Sequence, residues 1–148
     1  MKHLVLAFMF LFLTSVATAQ TEIDWRTLVT ESGSVVIAVE GATEIDVNAA
    51  KTLHDQGVRF VNVRGTRKWK RGHIPGSSDL RYPTEAALLE IVDKNEEVVF
   101  YCNCGGSPGC NQSPNASAKA VAWGYKNVFY LTEFDAWSAA GYPIEKAE

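Results

Sequence analysis

Short β-branched and aromatic runs alternate with capped, helix-patterned stretches along this chain, and that alternation constrains its fold more than any other feature. Arg59-Phe60-Val61-Asn62-Val63, Val98-Val99-Phe100-Tyr101 and Val128-Phe129-Tyr130-Leu131 read as buried strands. Asp46 is placed to cap a helix in which Val47, Ala50 and Leu53 share a face and which Gly57 ends. Thr84 caps a second helix through Ala86, Leu89 and Ile91, after a loop with a short extended piece at Gly72-His73-Ile74-Pro75-Gly76. Ser113 is expected as the N-cap of a third helix, with Pro114 at its first position, running to Trp123 and stopping at Gly124. A last helix from Phe134 to Ala140 stops at Gly141, with Pro143 beyond it. Strands joined to helices by short links imply an α/β domain: a central, mainly parallel sheet flanked by helices.

The N-terminal segment belongs to a different class. Lys2 and His3 precede an unbroken apolar run from Leu4 to Leu13, and Ala17-Thr18-Ala19 follows as a small-residue cleavage pattern. Residues 1–19 are therefore expected to be a signal peptide, residues 20–41 a leader with a short strand at Val35–Val39, and residues 42–148 the folded domain. The apolar run is shorter than the roughly 18 residues that a membrane span requires, so the expected location is periplasmic or secreted, with no membrane partner after cleavage. Fourteen Lys and Arg against seventeen Asp and Glu give no excess of positive charge for nucleic acid. Basic residues are nonetheless concentrated locally, at Arg59, Arg64, Arg67, Lys68, Lys70, Arg71 and Arg81. Open parallel sheets bind ligands at the carboxyl ends of their strands, where Arg64 and Arg67 follow one strand and Cys102 another. If those strands are neighbours, part of the basic cluster lies beside the thiols.

The three cysteines, Cys102, Cys104 and Cys110, all lie in one short stretch. A disulfide framework spreads an even number of cysteines along a chain, whereas an odd cluster in one loop indicates reactive thiols or a metal. A thiol becomes a good nucleophile as its thiolate, and a loop leading into a helix N-terminus supplies converging N–H groups that stabilise negative charge. Gly105, Gly106 and Gly109 allow such a loop to curl with its N–H groups inward.

Several blocks, in this order and spacing, resemble the rhodanese homology domain over roughly residues 46–145. They are Val61-Asn62-Val63-Arg64, Gly72-His73-Ile74-Pro75-Gly76, Val99-Phe100-Tyr101-Cys102, Gly124-Tyr125-Lys126-Asn127-Val128, and Ala136-Trp137 through Gly141-Tyr142-Pro143. The resemblance is greatest to exported bacterial single-domain relatives whose active loop is longer and carries a second cysteine. It implies sulfur transfer, in which a loop cysteine takes the outer sulfur of a small anionic donor as a persulfide and passes it to a thiol or other nucleophile, including a protein thiol. Cys102 matches the family's nucleophile, Cys110 the second or resolving thiol, and Cys104 is a further candidate. Gln112, Ser113, Gly105, Gly106, Arg64 and Arg67 are the candidate substrate-binding residues, and no cofactor or metal is implied. His73 is expected to serve packing and the turn.

Three departures bear on activity. Gln112 stands where the common family members carry an arginine that binds the donor, and an amide donates hydrogen bonds without supplying charge. The same exchange argues against phosphatase chemistry, which needs that arginine as a clamp. Asn62 replaces the usual aspartate, leaving Arg64 between a structural ion pair and anion attraction. Thr132-Glu133 replaces paired glycines, which brings an acid toward the rim of the site. The competing readings are a thiol–disulfide or persulfide relay, a copper(I) or zinc thiolate site, and an inactive binding module.

Overall fold

The computed structural model describes residues 39–103 and 111–148. The signal-peptide assignment and most of the leader lie outside the described residues, as do Cys104, Gly105, Gly106, Gly109 and Cys110.

Five strands, β1 (Ala42–Glu44), β2 (Arg59–Asn62), β3 (Ser78–Asp79), β4 (Glu97–Tyr101) and β5 (Asn127–Leu131), form one sheet in the order β1-β5-β4-β2-β3. Every pairing is parallel. The helices are α1 (Val47–Asp55), α2 (Thr66–Arg71), α3 (Glu85–Leu89), α4 (Gln112–Ala122) and α5 (Phe134–Ala139). The expected α/β architecture is thus present, and β2 and β4 are neighbours in register from Arg59↔Val98 to Asn62↔Tyr101.

Side-chain alternation along the strands sends two unlike sets to the two faces of the sheet. Val61, Val63, Val98, Phe100, Cys102, Val128 and Tyr130 meet Ala116 and Ala120 of α4 and Leu88 of α3 on one face. Phe60, Val99, Tyr101 and Leu131 meet Ala50 of α1 and Phe134 and Trp137 of α5 on the other. Cooperation between these layers, more than helix propensity, holds the helices in place, because most are short. Local signals still fix their ends. The Asp46 carboxylate accepts a hydrogen bond from Ala49 N at 2.8 Å and the Thr84 hydroxyl one from Ala87 N at 3.3 Å, as expected of N-caps.

The structure differs from expectation at four places: the edge strand, α2, β3 and the start of α4. Val39, the one described residue of the expected Val35–Val39 strand, is not in a strand, although it is buried in the core; the edge strand is Ala42–Glu44, paired with β5. Residues 66–71, noted only for their charge, form α2, and residues 78–79 form β3. Finally, α4 starts at Gln112, with Asn111 and not Ser113 at its N-cap. Ser113 lies inside the helix because its hydroxyl is engaged elsewhere.

Candidate active site

Cys102 directly follows β4 at the carboxyl end of the sheet and is fully buried. Its backbone continues the ladder into β5: Cys102 N donates to Leu131 O at 3.0 Å, and Phe134 N donates to Cys102 O at 3.0 Å. Alternation with Tyr101 directs Sγ toward the N-terminal end of α4, where it lies 3.0 Å from Ser113 Oγ and 3.9 Å from Thr132 O. The Ser113 hydroxyl also donates to Leu131 O at 3.1 Å. A serine hydroxyl has one proton. While that proton is on Leu131 O, the thiol of Cys102 donates to Ser113; turned the other way, it stabilises a thiolate. Ser113 thus accommodates both protonation states.

Burial pushes the Cys102 thiol up from its ordinary value. The Ser113 side chain, the Ser113 backbone N–H, the charge of Arg64 and the Gln112 backbone N–H pull it down, in that order of strength. The N–H groups of Gln112 and Ser113 at the helix start therefore favour the thiolate, while the expected glycine cradle lies outside the described residues; desolvation outweighs these groups, and Cys102 rests as a thiol at neutral pH.

Arg64 is buried at the end of β2 and is held by neutral groups. Its Nε donates to Asn62 Oδ1 at 2.7 Å and a terminal nitrogen donates to Gly72 O at 2.6 Å. The guanidinium carbon lies 3.6 Å from the centre of the Phe134 ring and 5.2 Å from that of Tyr101. Asn62 turns its Nδ2 to Asp79 Oδ1 at 2.7 Å, so the amide spaces the arginine from that carboxylate. No carboxylate among the described residues pairs with Arg64 directly. Following β2, α2 contributes Arg67, Lys68, Lys70 and Arg71 and no acid. Arg67 is exposed there.

His73 is buried, stacks on Trp69 with ring centres 4.0 Å apart, and exchanges backbone hydrogen bonds with Glu145, as a packing and turn residue does. Gln112 is exposed at the first position of α4. Glu133 is exposed and bridges Asn103 through the backbone, which puts an acidic residue beside the site. Tyr101, just before the cysteine, is fixed through its hydroxyl, which accepts from Ile74 N at 3.3 Å and contacts Ser77 Oγ at 2.7 Å. Among the described residues no three His, Cys, Asp or Glu side chains are grouped to hold a metal; Cys104 and Cys110, on which the metal reading depends, lie outside them.

Sequence reasoning missed the Arg64–Asn62–Asp79 chain because nothing in the spacing shows that residues 62 and 79 adjoin across β2 and β3. The buried role of Ser113 left one trace, its recurrence as Ser117 one turn later on the same apolar face. What the arrangement offers is a shielded thiol, a hydroxyl proton that can follow its charge, helix N–H groups, and a buried cation that attracts without contacting it.

The family model for the Rhodanese-like domain matches residues 47–140. The chain is 30% identical over 100 residues to the thiosulfate sulfurtransferase GlpE of Pseudomonas savastanoi pv. phaseolicola, covering 67% of this chain and 89% of that protein. Identity is 29% over 100 residues to the thiosulfate sulfurtransferase GlpE of Pseudomonas fluorescens, covering 67% and 86%. Among solved structures, the Alr3790 protein from Anabaena sp. is similar at a TM-score of 0.57 and 23% identity, over 70% of this chain and 92% of that one. The polysulfide-sulfur transferase from Wolinella succinogenes is similar at a TM-score of 0.56 and 16% identity, over 72% and 80%. At such identities the two structures bear on the fold alone.

Proposed function

Because this chain belongs to the rhodanese-like domain family, we propose that it is a sulfurtransferase that carries sulfane sulfur as a persulfide on Cys102. The observation that carries this reading is the 3.0 Å contact of Cys102 Sγ with Ser113 Oγ, at the start of α4 and the end of a central strand. The Cys102 thiolate attacks the outer sulfur of a thiosulfate-type donor. A sulfur–sulfur bond forms to Cys102, the donor's own sulfur–sulfur bond breaks, and sulfite leaves with the electron pair. A nucleophile then takes the outer sulfur and returns Cys102 as thiolate. The α4 N–H groups and the Arg64 charge favour the anionic forms in both halves of the cycle, and Cys110 and Cys104 are the candidate second thiols.

The reading includes export, supported by the charged start, the apolar run Leu4–Leu13 and the small residues Ala17 to Ala19. Purified protein treated with thiosulfate should gain one sulfur by intact mass and form thiocyanate with cyanide. Cys102→Ser should lose both. Comparable turnover in that variant overturns the assignment, and a two-hydrogen deficit in place of the added sulfur favours the disulfide relay.

A further inference from the structure

Between the 80–84 connection and the first turns of α4 lies a cleft of about 490 Å³. Arg81, Tyr82, Pro83, Gln112, Asn115 and Lys119 line it. We propose that this cleft is the acceptor subsite, and that it takes a small thiol carrying carboxylates. The inference rests on Cys102 being the persulfide carrier.

Charge is the first argument. Two cations and side-chain amides line the cleft, and no acidic residue among the described ones does. Such a lining recognises carboxylates through charge-assisted hydrogen bonds. Arg81 is also positioned, unlike an ordinary surface arginine. A Cβ on Gly65 would meet Arg81 Cδ at 3.2 Å, so the arginine stem lies on the bare backbone of that turn. Its guanidinium carbon is 5.0 Å from the centre of the Tyr82 ring. That ring is 73% exposed, the most open of the large apolar side chains among the described residues, and it offers a wall for the stem of a ligand. Pro83 is buried beneath.

Position is the second argument. Gln112, Asn115 and Lys119 follow at helical spacing and form one stripe on α4, flanking the buried side that carries Ser113. The Gln112 backbone N–H reaches Cys102, and its neighbour Ser113 touches the sulfur at 3.0 Å. The cleft therefore ends at Gln112, one residue along α4 from the serine that touches the reactive atom. Size is the third. An inorganic donor fills only a small part of this volume, which lies within the roughly 300–1,000 Å³ of pockets that hold drug-sized molecules. In the step this serves, the acceptor thiolate attacks the outer sulfur of the Cys102 persulfide. The new acceptor–sulfur bond forms as the old bond to Cys102 breaks, and Cys102 leaves as thiolate, with no external oxidant.

Two measurements test it. The unreactive analogue S-methylglutathione, titrated into the Cys102→Ser protein, should shift the amide resonances of Gln112, Asn115 and Lys119 and the Tyr82 ring. Arg81→Gln with Lys119→Gln should weaken that binding about tenfold, which corresponds to ~1.4 kcal/mol. In single turnover of the persulfide-loaded protein, the ratio of the glutathione rate to the 2-mercaptoethanol rate should fall by a similar factor in the same variant. No shift at the cleft, or an unchanged ratio, overturns the proposal. Should the wild-type chain fail to load sulfur, the carrier reading falls alone, and the analogue titration still decides whether the cleft binds.

Discussion

The two faces of the sheet solve different problems. On one, Tyr101, Phe134 and Trp137 and the ring of Phe60 interlock, with Trp137 Nε1 donating to Pro143 O at 2.8 Å and ring centres of Trp137 and Tyr142 5.1 Å apart. This face also holds the buried guanidinium of Arg64. On the other, valines, Leu88, Phe100, Ala116 and Ala120 pack in one cluster with Cys102, Tyr125 and Tyr130, and the small hydroxyls of Ser113 and Ser117 are buried on α4. The cation lies on the face of Tyr101, Phe134 and Trp137, and the sulfur lies on the other. A charge kept across the sheet pulls the thiol toward ionisation yet cannot collapse onto it as an ion pair.

The most severe way to break this division is to remove the aromatic keystone. Trp137→Ala should cost about 3–5 kcal/mol of stability by denaturant unfolding, the usual range for a fully buried tryptophan. Next comes the hydroxyl on the opposite face. Ser113→Ala removes the strongest influence lowering the Cys102 value, which should then rise. Reaction needs the thiolate, so the transfer rate should climb with pH toward the raised Cys102 value, and the variant's profile should shift to higher pH. A hydrogen bond to a charged group contributes roughly 1.5–3 kcal/mol, so at neutral pH the loss should be about tenfold or more.

A gentler change sharpens the comparison. Asn62→Asp combined with Asp79→Asn keeps the net charge and the link between residues 62 and 79, but moves the carboxylate onto Arg64. The arginine is then neutralised in place, and the pH profile of transfer should shift upward with a severalfold loss at neutral pH; an unmoved profile would show that Arg64 contributes packing only. Smallest is Gln112→Arg, which adds a cation at the exposed start of α4 and should raise turnover of thiosulfate a few-fold, seen in its KM.

Much of this was legible in the sequence because it is local. Asp46 and Gly57 bracket α1 as capping chemistry dictates, and β2, β4 and β5 are each marked by β-branched and aromatic residues, Phe60-Val61, Val98 to Tyr101 and Val128 to Leu131. The elements that escaped lack such signals. β1 reads Ala-Thr-Glu at a sheet edge, and α2 reads Thr-Arg-Lys-Trp-Lys-Arg with only Trp69 turned partly inward. At the site, Cys102 and the neighbouring basic strand end were visible from order alone. Ser113 was misplaced by two positions because a serine before a proline looks like a cap, whereas here β5 and the sulfur compete successfully for its hydroxyl. The cleft at Arg81 and Lys119 depends on residues distant in the chain meeting in space, which no spacing rule encodes.

One atom joins the two sides of the active centre: the carbonyl oxygen of Leu131 accepts both Cys102 N and the Ser113 hydroxyl. Being main chain, it survives every side-chain exchange at that position. A mutational scan of residue 131 would report on packing and stay silent on this linchpin. Chemical synthesis can reach it, since replacing the amide between Leu131 and Thr132 by an ester leaves every side chain in place and makes that carbonyl a poorer acceptor.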